Sequence, residues 1–220
     1  MTDDGLTAGV DIISRTAWTA FGVRYLFPYQ RLVIANVLEA ARARKGAGAM
    51  ADAGAAPPDE VDYRARQVVI LPTGSGKSLC FQLPAVLLSA LSVVVYPLLS
   101  LIADQKRKLD GLGIEAEALT GRTTSGDLER IREGVESGSL RLLLTNPESL
   151  GTDRARKLLE GAPVDHLVID EAHCVAEWGE TFRPSYLELG AAIHALQPHV
   201  VTGFTATASP DILARINTHL

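Results

Sequence analysis

Cysteine is nearly absent from this sequence: Cys80 and Cys174 are the two in 220 residues. They stand far apart, with no C-x-x-C pair and no Cys/His ligand spacing, which argues against both a zinc framework and a disulfide scaffold in this stretch. Two isolated thiols suit a reducing intracellular setting, cytoplasmic or nuclear. Positive charge is also short. Lys and Arg number 21 against 26 Asp and Glu, a net charge of −5. The chain therefore lacks the basic balance that would point to nucleic acid by itself, and any such contact must come from a local patch. Long hydrophobic runs are missing too. Pro84 and Pro97 break the longest ones, and none approaches the ~20 residues of a membrane-spanning helix; no membrane partner is expected. The start, Met1-Thr2-Asp3-Asp4, is acidic and has no apolar run behind a basic beginning, so it does not read as a signal peptide. No internal repeat is visible.

What is present fits one large α/β domain. Hydrophobic residues make up 47% and charged residues 21%, ordinary for a soluble globular chain. Residues 1–22 are weakly patterned. From Pro28 a helix is expected, carrying Leu32, Val33, Val37 and Leu38. Residues 45–62 are rich in Gly, Ala, Asp and Pro and read as a flexible insertion. Beyond it strands and helices alternate. Expected strands are Gln67–Leu71, Ser92–Tyr96, Glu115–Leu119, Leu140–Thr145, His166–Asp170 and Val200–Thr205. Expected helices are Lys77–Ala90, Leu98–Leu112, Ser125–Ser137, Ser149–Leu159, Ser185–Leu196 and Pro210–His219. Continuous apolar strands, each followed by a helix, imply a mostly parallel sheet with helices on both faces. Pro84 should bend the first of these helices.

Two motifs carry chemistry. In Val68-Val69-Ile70-Leu71-Pro72-Thr73-Gly74-Ser75-Gly76-Lys77-Ser78, a strand enters a glycine-rich turn that opens a helix. Gly74 and Gly76 let the main chain approach an anion closely. Backbone N–H groups from Thr73 to Ser78 and the helix N-terminus favour phosphate. Lys77 is placed to reach the β- and γ-phosphates, and the Ser78 hydroxyl to bind magnesium. ATP and Mg2+ are therefore the expected cofactors. The second motif, Leu167-Val168-Ile169-Asp170-Glu171-Ala172-His173, is an apolar strand ending in two carboxylates. Ligands gather at the carboxyl ends of parallel strands. Asp170 is placed to hold magnesium, and Glu171 is the candidate general base for an attacking water. His173 follows at short range.

The segment from Asp170 through Glu171, Ala172, His173, Cys174, Trp178, Gly179, Phe182, Arg183, Pro184 and Tyr186 resembles the RecQ family of superfamily 2 DNA helicases. So do Leu79 to Ala85, Tyr96 to Gln105, Asn146 to Leu150 and Gly203 to Ala208. The resemblance runs from about Phe21 to the C-terminus. It implies a RecA-like P-loop NTPase domain that couples ATP hydrolysis to movement on single-stranded DNA and to unwinding, in the 3′-to-5′ direction. Trp178, Phe182, Arg183 and Tyr186 would sense single-stranded or partly duplex DNA. Pro97, Ser100, Gln105, Asn146 and Ser149 would line its track. Thr205 and Thr207 would relay the nucleotide state towards His173.

Phe21-Gly22-Val23-Arg24-Tyr25-Leu26-Phe27-Pro28-Tyr29-Gln30 resembles the family's adenine-reading motif, with Gln30 in the reading position. Val23 stands where the family usually has an aromatic, and Phe27 where it has arginine. Stacking on the base could instead come from Tyr25, Phe27 or Tyr29. Three segments result: an N-terminal helical segment over 1–44, the insertion over 45–62, and the motor domain over 63–220. The family also carries a second RecA-like domain, which lies outside these 220 residues, so the sequence reads as part of a larger protein. An RNA helicase or chromatin-type translocase, and a nucleotide-gated binding module, are the alternatives.

Overall fold

A computed structural model describes residues 11–51, 66–178, 184–186 and 188–219. At its centre is one sheet of six strands, β1 (Arg66–Ile70), β2 (Leu91–Val95), β3 (Ala116–Leu119), β4 (Leu142–Thr145), β5 (Val164–Ile169) and β6 (Val200–Thr205). Their order across the sheet is β1-β6-β5-β2-β4-β3, and every pairing is parallel. The β5–β6 register sets Val168 beside Thr202 and Ile169 beside Gly203. The register of β1 on β6 sets Ile70 beside Thr205. The phosphate-loop strand, the acidic strand and the Thr-Ala-Thr strand thus end side by side.

The central strands are mostly apolar because both faces are covered. Side chains alternate: Val93, Val95, Leu143, Leu167 and Ile169 enter one core, while Val94, Leu142, Leu144, Val168 and Phe204 enter the other. Period-two alternation between two buried faces is what a doubly covered parallel sheet requires. Helices α3 (Lys77–Leu87) and α4 (Leu99–Gly111) contribute Cys80, Phe81, Ile102 and Leu109 to the second core. Helices α5 (Ser125–Glu136), α6 (Pro147–Leu150), α7 (Asp153–Leu159), α8 (His173–Trp178), α9 (Leu189–Leu196) and α10 (Pro210–His219) pack on the first. A third cluster joins Leu83 and Leu88 to Ala17, Ile34 and Leu38 from α1 (Ile12–Phe21) and α2 (Pro28–Ala51).

The structure corrects the sequence reading in several places. Residues 12–21, weakly patterned in sequence, form a helix. Asp11 caps it by accepting from Ile13 and Ser14 N–H at 3.0 and 3.2 Å, and Gly22 ends it in the left-handed region at φ 66°, as a helix C-terminus favours. Helix α2 runs on to Ala51, so the expected insertion begins at least seven residues late. Between Lys45 and Ala51 alanine offsets the two glycines, and proline first appears at Pro57. Residues 52–65 lie outside the described residues. The helix expected over Ser149–Leu159 is two helices, because Thr152 caps the second by accepting from Ala155 N–H at 3.2 Å. Ser185 lies in a 3₁₀ turn over Pro184–Tyr186, and α9 begins only at Leu189. Helix α3 continues through Pro84 to Leu87, with the Pro84 carbonyl accepting from Leu88 N–H at 2.8 Å. Among the described residues no helix is long and apolar enough to cross a membrane.

Candidate nucleotide site

Three strand ends build the site. After β1, the Leu71 N–H donates to the Thr205 carbonyl at 3.0 Å, which ties the loop to β6. Ser75 N–H closes a turn on the Pro72 carbonyl at 3.2 Å. Gly74 and Gly76 take φ of 81° and 76°, a region open to glycine and costly for other residues. A Cβ at Gly76 would also lie 2.6 Å from the Gln30 amide nitrogen, so this position excludes any side chain on two grounds. Gly76 precedes the first turn of α3 and has no side chain to cap it. The Leu79 N–H turns back on the Gly76 carbonyl at 3.1 Å, which leaves the Lys77 and Ser78 N–H groups for an anion. The Ser75 hydroxyl is buried and has no partner among the described residues.

Lys77 reaches across to the second strand end. Its Nζ lies 3.6 Å from a Glu171 carboxylate oxygen and donates to the Leu71 carbonyl at 3.4 Å. Asp170 N–H is held by the Val95 carbonyl at 2.9 Å. Burial, with the neighbouring Glu171 charge, raises the Asp170 pKa to about 6. Glu171 adopts φ 50°, a left-handed conformation that costs a non-glycine residue roughly 1 kcal/mol or more. That turn sends Asp170 and Glu171 off the strand end in different directions.

The third strand end meets Glu171 through His173. His173 Nδ1 lies 3.0 Å from Thr205 Oγ1 and 3.4 Å from the second Glu171 oxygen. Thr205 Oγ1 donates its one proton to the Thr207 carbonyl at 2.8 Å. It must therefore accept from His173, so Nδ1 carries a proton there, while Nε2 lies 3.8 Å from the Cys174 sulfur. Lys77, Glu171, His173, Thr205 and Thr207 form one connected polar chain. The oxygen donors present, Ser78 hydroxyl and Asp170 carboxylate, are the hard ligands that magnesium takes, and the open α3 N-terminus suits a triphosphate.

Other expected site residues are placed differently. Tyr186 is fully buried in the first core and is unavailable as a stacking ring, contrary to the DNA-sensing expectation. Pro97, Asn146 and Ser149 are buried, whereas Ser100 is exposed. Asn146 pairs with Glu148, which also accepts from Ser185 at 3.0 Å. Gln105 accepts from Gln82 at 2.8 Å. Trp178 ends α8 rather than lying in a loop; Phe182 and Arg183 lie outside the described residues. Gln30 is only 5% exposed, with its amide bound to protein at both ends. The Tyr29 hydroxyl donates to the Ser75 carbonyl at 3.0 Å, a contact with no sequence signal, since Tyr29 stood out only as a possible stacking ring.

Fold and site together define a RecA-like P-loop NTPase domain. The chain belongs to the DEAD/DEAH box helicase family, whose profile matches residues 27–216. It is 38% identical over 154 residues to the ATP-dependent DNA helicase RecQ of Haemophilus influenzae, covering 68% of this chain and 25% of that one. It is 43% identical over 161 residues to the RecQ-like DNA helicase blm-1 of Caenorhabditis elegans, covering 69% and 16%. The chain thus spans a quarter or less of these relatives. Among solved structures it is similar to a hypothetical ATP-dependent RNA helicase from Sulfolobus tokodaii, with TM-score 0.64 at 18% identity over 96% of this chain and 55% of that one. The DUF1998 helicase MrfA bound to DNA gives TM-score 0.63 at 17% identity, over 96% and 28%. At such identities these two likenesses speak for the fold.

Proposed function

We propose that this domain binds Mg-ATP at the joined ends of β1, β5 and β6, and that it powers a DNA helicase moving along single-stranded DNA. The observation that carries the reading is the Glu171 carboxylate, which touches Lys77 on one side and His173 on the other. One group thereby links the phosphate loop to the strand end that leads to Thr205 and Thr207.

The chemistry follows from the residues. The N–H groups of the loop and the α3 N-terminus receive the phosphates. Lys77 then exchanges its Glu171 partner for phosphate oxygens, a better-matched and more highly charged acceptor. Ser78 and Asp170 would hold magnesium, which neutralises charge on the β- and γ-phosphates. Glu171, released from Lys77, is free to take a proton from the attacking water. His173 feels the change because its Nδ1–H is shared between Glu171 and Thr205. That shared proton is a route by which the nucleotide state reaches the Thr205–Thr207 loop. Trp178, at the end of the helix that His173 begins, and the following Phe182 and Arg183 are the proposed DNA sensors; base stacking there would be tolerant of sequence. Similarity to the RecQ sequences favours DNA over RNA.

The test is steady-state ATP hydrolysis by the full-length protein with and without single-stranded DNA or RNA. DNA is expected to stimulate hydrolysis, and Trp178→Ala to remove most of the stimulation while ATP binding persists. Stimulation by RNA alone would overturn the DNA assignment, and stimulation unchanged in Trp178→Ala would overturn the sensor role.

A further inference from the structure

Tyr96 stands one residue past the end of β2 and is 1% exposed. Its neighbour across the sheet is Asp170. Val95 pairs with Ile169 in the β2–β5 register, and Asp170 N–H donates to the Val95 carbonyl at 2.9 Å. Val94 and Val168, two residues back on each strand, both enter the second core, and so does Tyr96. Side chains alternate along a strand, so Tyr96 and Asp170 face the same side of the sheet. Helix α3 covers that side. Its Phe81 meets the Tyr96 ring edge-on, with centroids 6.5 Å apart. Ser78 and Gln82 are four residues apart on the same helix and share one of its faces. A phenol thus sits between the acidic strand end and the helix that the phosphate loop opens.

The Tyr96 hydroxyl is buried and has no hydrogen-bond partner among the described residues. The Gln82 amide nitrogen is committed to Gln105 Oε1 at 2.8 Å. Burial pushes the Tyr96 pKa well above its usual value, and the Asp170 charge pushes the same way, while the Gln82 amide acts against it. The phenol therefore keeps its proton beside a carboxylate. An unpartnered buried hydroxyl destabilises a fold, and native proteins hold few of them. Phenylalanine would fill the same space against Phe81 without that cost. The hydroxyl has one proton to give, and the group beside it on β5 is the carboxylate proposed to hold magnesium. Ligands of metal ions are commonly oriented by such outer hydrogen bonds. A neutral donor also steadies a carboxylate without cancelling the charge that attracts the cation, as a lysine there would.

We infer that Tyr96 is a positioning residue for the metal site, its hydroxyl donating to the Asp170 carboxylate as that group holds magnesium. The inference rests on the nucleotide reading above, in which Ser78 and Asp170 take the ion. It adds the end of β2 to the three strand ends that build the site. Its role is separate from packing, since the ring alone would serve the core.

Tyr96→Phe tests it, because it removes one oxygen and keeps the ring. Wild type and variant of the 220-residue chain are titrated with Mg2+ in the presence of a non-hydrolysable ATP analogue. Binding of the analogue in EDTA and the melting temperature without metal are measured beside it. The variant is expected to bind Mg2+ about tenfold more weakly, with analogue affinity in EDTA unchanged and the metal-free melting temperature equal or higher. Unchanged Mg2+ affinity would overturn the inference. So would an equal loss of analogue affinity with and without Mg2+, which would mean that Tyr96 only supports the packing of α3. A metal-free melting temperature lower by several degrees would overturn it too, since the hydroxyl would then serve the fold. Wild-type chain that binds neither the analogue nor Mg2+ would remove the nucleotide reading itself, and this inference with it.

Discussion

The two ends of strand β5 carry the same kinds of residue and put them to different ends. At its start, Asp165 and His166 are fully buried. Asp165 accepts from Ser89 and Ala90 N–H at 3.1 and 2.8 Å and pairs with His199 at 2.9 Å. His166 meets the Thr202 hydroxyl at 2.9 Å, and burial pushes its pKa down to about 3, so it stays neutral. Past its finish, Asp170, Glu171 and His173 form a partly exposed site in which His173 meets Thr205 at 3.0 Å and Glu171, in a left-handed turn, lies 3.6 Å from Lys77. Carboxylate, imidazole and threonine hydroxyl occur at both. The first set is structural: its carboxylate holds the backbone between α3 and β2 in place, although His166 Nδ1 is buried without a partner among the described residues. The second keeps spare capacity at the carboxyl end of a parallel sheet, where ligands bind. Residue type does not mark the functional end; strand direction and exposure do.

The largest effect expected from breaking this contrast lies at the buried end. Asp165→Ala takes the buried carboxylate away from the part-buried Ser89 and Ala90 N–H groups and from His199, at a cost of about 3–5 kcal/mol, or on the order of 10 °C in melting temperature for a domain of this size. Calorimetry should find that loss, with ATP affinity unchanged below the transition. Next comes Asp170→Asn at the open end, where the sign reverses. The Asp170 pKa is raised from 3.8 to about 6 in the folded chain. Its charged form therefore opposes folding, and the stability it supplies below pH 4 is lost as pH rises through 6. Replacing the carboxylate by a neutral amide should stabilise the metal-free protein by roughly 1–3 kcal/mol at pH 8. The gain should fade towards pH 4, and magnesium-dependent hydrolysis should be lost. Melting curves at pH 4, 6 and 8 check it.

Much of this was legible in the sequence, for stated reasons. Each of the six strands lies within two residues of its expected bounds, because a doubly covered parallel strand is built on a short apolar run, as in Leu142–Leu144. Gly74, Gly76 and Lys77 fall where a strand–turn–helix needs them. What escaped was tertiary. Tyr186 and Trp178 share a composition-rich segment, yet Tyr186 is drawn into the core by α6 and α8. Gln30 carries the adenine-motif pattern, but its contact with Ser75 is settled by how α2 packs on α3. Helix α1 had a visible cap in Asp11 and stop in Gly22, and its short apolar face was too sparse to stand out. The onward run of α2 to Ala51 depended on alanine outweighing glycine, a margin of tenths of a kcal/mol that composition alone does not settle.

The most direct test of the account is equilibrium binding of Mg-ATP to the 220-residue chain, measured in parallel for wild type, Lys77→Ala and Asp165→Asn. The account predicts saturable binding by wild type, a loss of about tenfold or more in Lys77→Ala, and unchanged affinity in Asp165→Asn below its lower melting temperature. Equal affinity in wild type and Lys77→Ala would contradict it, since the open end of β5 would then not be where the nucleotide sits.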